Sequence, residues 1–266
     1  KLLGTSKAES MSATANIFVS QTEAPMVVKP FIAKMTKSEL FAVMVGGMAT
    51  VAGSTLAGYV ALGVEMKYLL AASFMAAPGG FLMAKMLMPE TEEINDSETV
   101  LQEEHDQYVN VIDAAAGGAA DGLQLAVNIG AMLIAFVALI AMMNGFLGWV
   151  GVYVGIPDLS MQMILGQAFR SVAFILGVPW SESAIAGSLI GQKLVLNEFV
   201  AFLDFAEQKE FLSAHSQAVV TFALCGFANF SSIAILLGGL ATIAPKRRQD
   251  VAEMGVRAVT AAFLAN

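Results

Sequence analysis

From Ala218 to Ala244 the chain runs without a single charged side chain, and it does so again from Leu40 to Val64. At about 1.5 Å of helical rise per residue, such runs match the roughly 30 Å hydrocarbon core of a bilayer. Leu125 to Met143, with Asn128 as its one strongly polar member, and the uncharged run from Tyr68 to Ala84 add two spans, and a fifth apolar stretch begins at Val251. A hydrophobic fraction of 57% against 14% charged residues excludes a conventional soluble domain and fits an all-α membrane protein. The net charge of -8 is local, because eight acids and no Lys or Arg lie between Pro89 and Asp106. That run reads as a solvated loop rather than a metal cluster of defined spacing. A single cysteine, Cys225, excludes an intrachain disulfide framework. With no initiator Met or signal peptide at Lys1 and an apolar stretch at Asn266, further helices are expected beyond both ends.

Two regions are apolar overall yet carry polar groups that suit no lipid-facing helix: Ser6 to Phe31, with Gln21, Thr22 and Glu23, and Gly177 to Phe205, with Lys193, Asn197 and Glu198. Polar or irregular backbone at membrane depth survives only inside protein or beside a wet cavity, so both read as re-entrant helical hairpins with polar turns. They resemble each other. Leu3 to Ser10 parallels Leu176 to Ser183, and Gly47 to Ser54 in the following span parallels Gly226 to Ile233, at an offset that drifts only slightly between the two matches. Three spans separate the hairpins, so the second copy is inverted relative to the first. An inverted repeat with paired interrupted elements is the architecture of alternating-access transporters. The expected fold is a multi-span helical transporter with two opposed re-entrant hairpins. Its parts would be a first transport half (1–88), an acidic loop (89–110), a scaffold span (111–158), and a second transport half (159–266) that opens on an interfacial helix. Lys29, Lys34 and Lys37 follow the first hairpin and Lys246, Arg247 and Arg248 the last long span, which orients both basic loops, and with them the acidic loop, toward the cytoplasm.

An ionised carboxylate inside an apolar hairpin is expensive unless paired, hydrated or used, which singles out Glu23 and Glu198. The alternative for each is a carboxylate that caps its own turn, and Lys193 is a poorly spaced partner for Glu198. Gly226 to Ser232 sets Asn229, Ser231 and Ser232 in mid-span beside Phe227 and Phe230, groups suited to sugar hydroxyls and to a base ring. Close helix packing with serines bonded back to carbonyls is the competing reading. Thr50 to Thr55 reads as the matching broken helix, whose freed carbonyls suit a cation to which Asn16 adds a side-chain oxygen. No nucleophile with a base, metal-ligand spacing or phosphate loop points to an enzyme, and both histidines, His105 and His215, lie in polar loops.

Asn16 to Pro25 (NIFVSQTEAP), Asn197 to Ala201 (NEFVA) and Cys225 to Ser232 (CGFANFSS) resemble three signatures of the concentrative nucleoside transporters. The likeness extends over essentially the whole chain. It implies a homotrimer in the bacterial inner membrane, each protomer with eight spans, of which this chain lacks the first three and most of the last. It further implies that Gln21, Thr22 and Glu23 recognise the nucleobase, that Glu198, Asn229 and Ser232 bind the ribose hydroxyls, and that Phe227 and Thr55 line the base pocket. A sodium ion, the coupling ion, would be held by Asn16, the Val19 carbonyl, Thr50 and the Val51 carbonyl. Asn at position 16 favours sodium over proton coupling within the family. Ser20 in place of the usual Gly, and the Thr55 hydroxyl, narrow the expectation toward pyrimidine nucleosides such as uridine. Proton coupling, another small polar solute, a passive channel and a membrane-embedded enzyme are the alternatives.

Overall fold

A computed structural model describes residues 5–93, 109–156 and 158–266, and helices with short 3-10 turns are its regular secondary structure. Most of the acidic loop, His105 included, lies outside the described residues. The chain divides into two units, one formed by Lys1–Ser97 with Leu165–Asn266, the other by Glu98–Ile164.

In the first unit, α1 (Lys7–Asn16) opens on a capping box in which the Ser6 hydroxyl accepts the Glu9 amide and the Glu9 carboxylate accepts the Ser6 amide. After the polar turn come α2 (Ala24–Val27), which packs on α1, and α3 (Lys29–Ile32), each with proline in its first turn, where a missing N–H costs nothing. The uncharged run from Leu40 to Val64 is two half-helices, α4 (Lys37–Ala49) and α5 (Gly53–Ala61), divided where Thr50 and Ala52 turn extended. The Thr50 hydroxyl donates to the Gly46 carbonyl at 2.9 Å, taking up one acceptor that the break releases. Next is α6 (Met66–Leu87), 22 residues, long and apolar enough by itself to cross a bilayer.

The second half repeats the pattern. A helix α8 (Met161–Ile175) precedes α9 (Ser183–Val195) and α10 (Glu198–Gln208), which pack together across the turn at Leu196 and Asn197. The run from Ala218 to Ala244 is again two half-helices, α11 (Ala214–Leu224) and α12 (Phe230–Ile243), with Asn229 as the cap of the second. Helix α13 (Arg248–Ala265) then packs against α4, α6 and α12. Phe41, Met44, Met48, Ala258 and Ala262 fill that contact, all fully buried. The small residues of α13 let the helices approach closely, as membrane helices do where lipid offers no competing hydrophobic drive.

In the second unit α7 (Val111–Val154) is a 44-residue helix, capped by the Asn110 side chain on the amides of Ile112 and Asp113. It contains the run from Leu125 to Met143 and is about twice the ~20 residues a bilayer crossing needs. Hence it extends past the apolar run at both ends.

The two interruptions in the first unit are stitched together. Gly53 donates its amide to the Phe18 carbonyl in the first polar turn at 3.1 Å, and Phe227 donates its amide to the Thr50 carbonyl at 3.2 Å. A Cβ on Gly53 would lie 2.9 Å from the Phe18 oxygen, a contact with backbone that no rotamer relieves. Gly53→Ala is therefore expected to cost about 1–3 kcal/mol through overpacking. Gly148→Ala on α7, where no atom lies within 4 Å, is expected to be neutral. Thermal denaturation of the two purified variants in detergent checks the contrast.

Candidate functional site

Glu198 is the first residue of α10, directly after its cap Asn197, whose side chain accepts the Val200 amide at 2.9 Å. The residue is 6% exposed, at the positive end of the helix, and its carboxylate accepts hydrogen bonds from Asn229 Nδ2 at 2.9 Å and the Tyr59 hydroxyl at 3.4 Å. These two donors partly offset the cost of burying the carboxyl group. Lys193 points elsewhere, donating to the Ala223 carbonyl and to Asn266 Oδ1, so the poorly spaced Lys193–Glu198 pair does not form.

Asn229 works with both ends of its amide. While Nδ2 donates to Glu198, Oδ1 accepts from the Ser232 amide at 2.9 Å, the Ser231 hydroxyl at 2.6 Å and the Ser232 hydroxyl at 3.2 Å. The Ser232 hydroxyl also accepts from Gln21 Nε2 at 3.3 Å. A continuous polar chain thus runs from Gln21 in the first polar turn, through Ser232 and Asn229 at the start of α12, to Glu198 in the second. Gln21 Oε1 is buried with no protein partner, an acceptor left over for a donor from outside. Ser231 bonds to Asn229 rather than back to a helix carbonyl.

The other predicted residues fall around that chain unequally. Thr22 packs against Gly239 of α12, where a Cβ would come within 3.2 Å of Thr22 Cγ2, and its hydroxyl pairs with Ser20 at 2.9 Å. The Thr55 hydroxyl is bonded to the Ala52 carbonyl at 2.7 Å, and Phe227 is half-buried beside the break. Glu23 departs from the expected burial. It is exposed, and its Oε2 accepts the Ser20 amide at 3.0 Å, capping its own turn. It lies close to Gln21 in sequence, yet α2 begins there and turns the carboxylate outward. His215 is exposed as expected, but it lies in the first turn of α11 and not in a loop.

Asn16, at the end of α1, is fully buried with both side-chain polar atoms unpartnered, and a Cβ on Gly46 would lie 3.6 Å from its Nδ2. Thr50 and Val51 follow in the break, buried, and Val19 is half-buried in the turn. An orphaned side-chain amide near the carbonyl end of a half-helix has an oxygen to offer a small cation. Tyr59 carries no marker in the sequence beyond being a phenol within an uncharged span. In the fold it packs on Phe202 with ring centroids 4.3 Å apart and aims its hydroxyl at Glu198.

Residues 68–266 match the family model described as "Na+ dependent nucleoside transporter C-terminus", and residues 1–66 match a gate domain described as "Nucleoside recognition". The chain belongs to the concentrative nucleoside transporter family. Members are integral membrane transporters, not enzymes. The chain is 56% identical over 272 residues to a transporter of Haemophilus influenzae and 50% over 271 residues to the nucleoside permease NupC of Helicobacter pylori, covering all of this chain and 65% and 64% of those proteins. It is 42% identical over 279 residues to mouse sodium/nucleoside cotransporter 1, covering 98% of this chain and 43% of that protein. Among solved structures, CNTnw in an inward-facing substrate-bound state superposes with a TM-score of 0.93 and a doubly substituted CNTnw in an outward-facing state with 0.95, each at 59% identity. Those matches cover 98% of this chain and 62% and 64% of the CNTnw chains. The chain therefore spans just under two thirds of its bacterial relatives.

The double role of Asn229 separates stability from recognition. Asn229→Ala removes the α12 cap and is expected to cost about 1–2 kcal/mol. Asn229→Ser keeps a capping oxygen but is too short to hold Glu198, so it should cost less than the alanine variant by the contribution of the cap alone. Paired thermal melts of the two variants measure the difference.

Proposed function

We propose that the complete protein is a secondary active transporter that couples sodium entry to nucleoside uptake by alternating access, favours pyrimidine nucleosides such as uridine, and works as a homotrimer in a bacterial inner membrane. The observation that carries this reading is the buried chain from Gln21 through Ser232 and Asn229 to Glu198. It offers acceptors and donors of the kind that ribose hydroxyls and a base edge require, and it joins both polar turns. Glu198, Asn229 and Ser232 take the ribose, and Gln21 and Thr22 the base. Phe227 and Thr55 line the base pocket. Glu23 completes the base site once its carboxylate exchanges the Ser20 amide for the ligand. The relatives named for nucleoside and sodium/nucleoside transport support the substrate class and the ion.

Sodium is a co-substrate here, held by Asn16, the Val19 carbonyl, Thr50 and the Val51 carbonyl. Because Asn16 adjoins Gly46 while the first turn is hydrogen-bonded to Gly53 across the break, an ion there orders the turn that carries Gln21 and lowers the ordering cost of nucleoside binding. The two hairpins and interrupted spans, re-entrant and oppositely inserted, then move as a body to expose the site to alternate sides. At a membrane potential of about -100 mV one inward charge supplies ~2.3 kcal/mol, about 50-fold accumulation before any sodium gradient is counted.

Glu198→Gln is expected to abolish uridine binding in the full-length protein while leaving the melting temperature within a few degrees, since the amide keeps the shape; unchanged uridine affinity by calorimetry would remove Glu198 from the site. Asn16→Ala is expected to raise the sodium concentration needed for half-maximal binding by about tenfold, with sodium-saturated affinity little changed. Adenosine competing with labelled uridine at equal potency would rule out the pyrimidine preference.

A further inference from the structure

Lys193 is fully buried and belongs to none of the roles above. Its Nζ donates to the Ala223 carbonyl in the last turn of α11 at 2.7 Å and to Asn266 Oδ1 at 2.6 Å. Asn266 Nδ2 in turn donates to the carbonyl of Ala49, the last residue of α4, at 2.7 Å. The last carbonyls of a helix have no partner within it and carry its negative dipole end. Here two such ends converge from the two interrupted spans, and one side-chain amine serves both, one directly and the other through an amide. The approach is tight: a Cβ on Gly226 would lie 2.7 Å from the Ala49 oxygen and closer still to Asn266.

The place of Lys193 in the repeat gives this its meaning. Ala52 and Asn229 cap the second half-helices α5 and α12, and the step along the chain from one cap to the other defines the register of the repeat. The same step carries Gly46 to Ala223 and Asn16 to Lys193. Asn16 Nδ2 lies beside Gly46, 3.6 Å from where a Cβ would stand, and Lys193 Nζ donates to the Ala223 carbonyl. Thr50 and Phe227, which that step also relates, are hydrogen-bonded to each other, as residues beside a pseudo-twofold axis are. Where the first repeat has an amide with unpartnered atoms, the second has a lysine with its acceptors in place.

We propose that Lys193 is a resident cation: its ammonium group serves the half-helix end of the second repeat, as sodium is proposed to serve that of the first, so the second repeat binds no ion from solution and its half-helix end stays neutralised throughout the cycle. This rests on the sodium site proposed at Asn16. An asymmetry follows from it. One repeat senses the ion gradient, and the other is held permanently in the ion-bound arrangement.

The test uses the full-length protein in proteoliposomes, with sodium and methylammonium as the probes. Lys193→Ala, which leaves a carbonyl-lined space, is expected to weaken uridine binding at least about tenfold at limiting sodium. Methylammonium, or a second sodium ion seen as a Hill coefficient rising from about 1 toward about 2, should restore it. Lys193→Met fills the space without charge and should be rescued by neither, while Lys193→Arg should retain uptake. A Lys193→Met protein with wild-type sodium dependence and melting temperature would overturn the proposal, and so would a folded Lys193→Ala protein that neither cation rescues. Should Lys193→Ala fail to fold, the comparison of Met with Arg decides alone: equal behaviour of the two refutes a role for the charge. Asn16→Ala with Lys193 intact is the separate control. Unaltered sodium dependence there removes the first-repeat reading, whatever Lys193 does.

Discussion

A carbonyl freed from a helix at membrane depth has no water to turn to, and leaving it bare costs several kcal/mol. Two spans of this chain are interrupted, at Thr50–Ala52 and Cys225–Asn229, and much of the surrounding structure answers that demand. The Thr50 hydroxyl bonds the Gly46 carbonyl, the Phe227 amide the Thr50 carbonyl, Lys193 the Ala223 carbonyl, and Asn266 the Ala49 carbonyl. On the amino side of the second break, Asn229 caps α12 with one end of its amide and reaches Glu198 with the other. The residues that make interruption tolerable are thus next to, or identical with, those that make a polar site.

That overlap explains why a buried carboxylate survives at Glu198. Its helix position supplies a favourable dipole, and Asn229 and Tyr59 supply donors, so the group is held in a fixed direction before any ligand arrives. Asn16 and Gln21 are the reverse: polar atoms buried without partners in the protein, at the end of α1 and in the turn after it. Around these turns, then, engaged donors stand on one side and unpartnered buried polar atoms on the other, the kind of exception that calls for an explanation.

Much of this is legible in the sequence. The uncharged runs Leu40 to Val64 and Ala218 to Ala244 announce apolar helices, and the polar turns around Gln21 and Glu198 announce polar groups that the fold buries. The breaks are foreshadowed by Thr50 and Asn229. The register of the repeat is less so: matching glycines aligns Gly47 with Gly226, a slightly wider separation than the one between the caps Ala52 and Asn229. Small residues in membrane helices recur too often to fix a register, while a cap occurs once per helix. The exposure of Glu23 and the contact of Tyr59 with Glu198 are out of reach, because both depend on which way a short turn aims a side chain, and periodicity does not encode that. Lys193 reads as a neighbour of Glu198 along the chain, but the turn at Leu196 and Asn197 intervenes and sends the two side chains to different helices.

The central claim is that the interrupted spans and polar turns form a site whose occupancy by a nucleoside is driven by an ion. Its most direct test is uridine uptake by the full-length protein in proteoliposomes under an inward sodium gradient and, separately, an inward proton gradient. The account predicts accumulation above the external concentration with sodium alone; accumulation driven by protons alone, or equilibration without accumulation under either gradient, would contradict it.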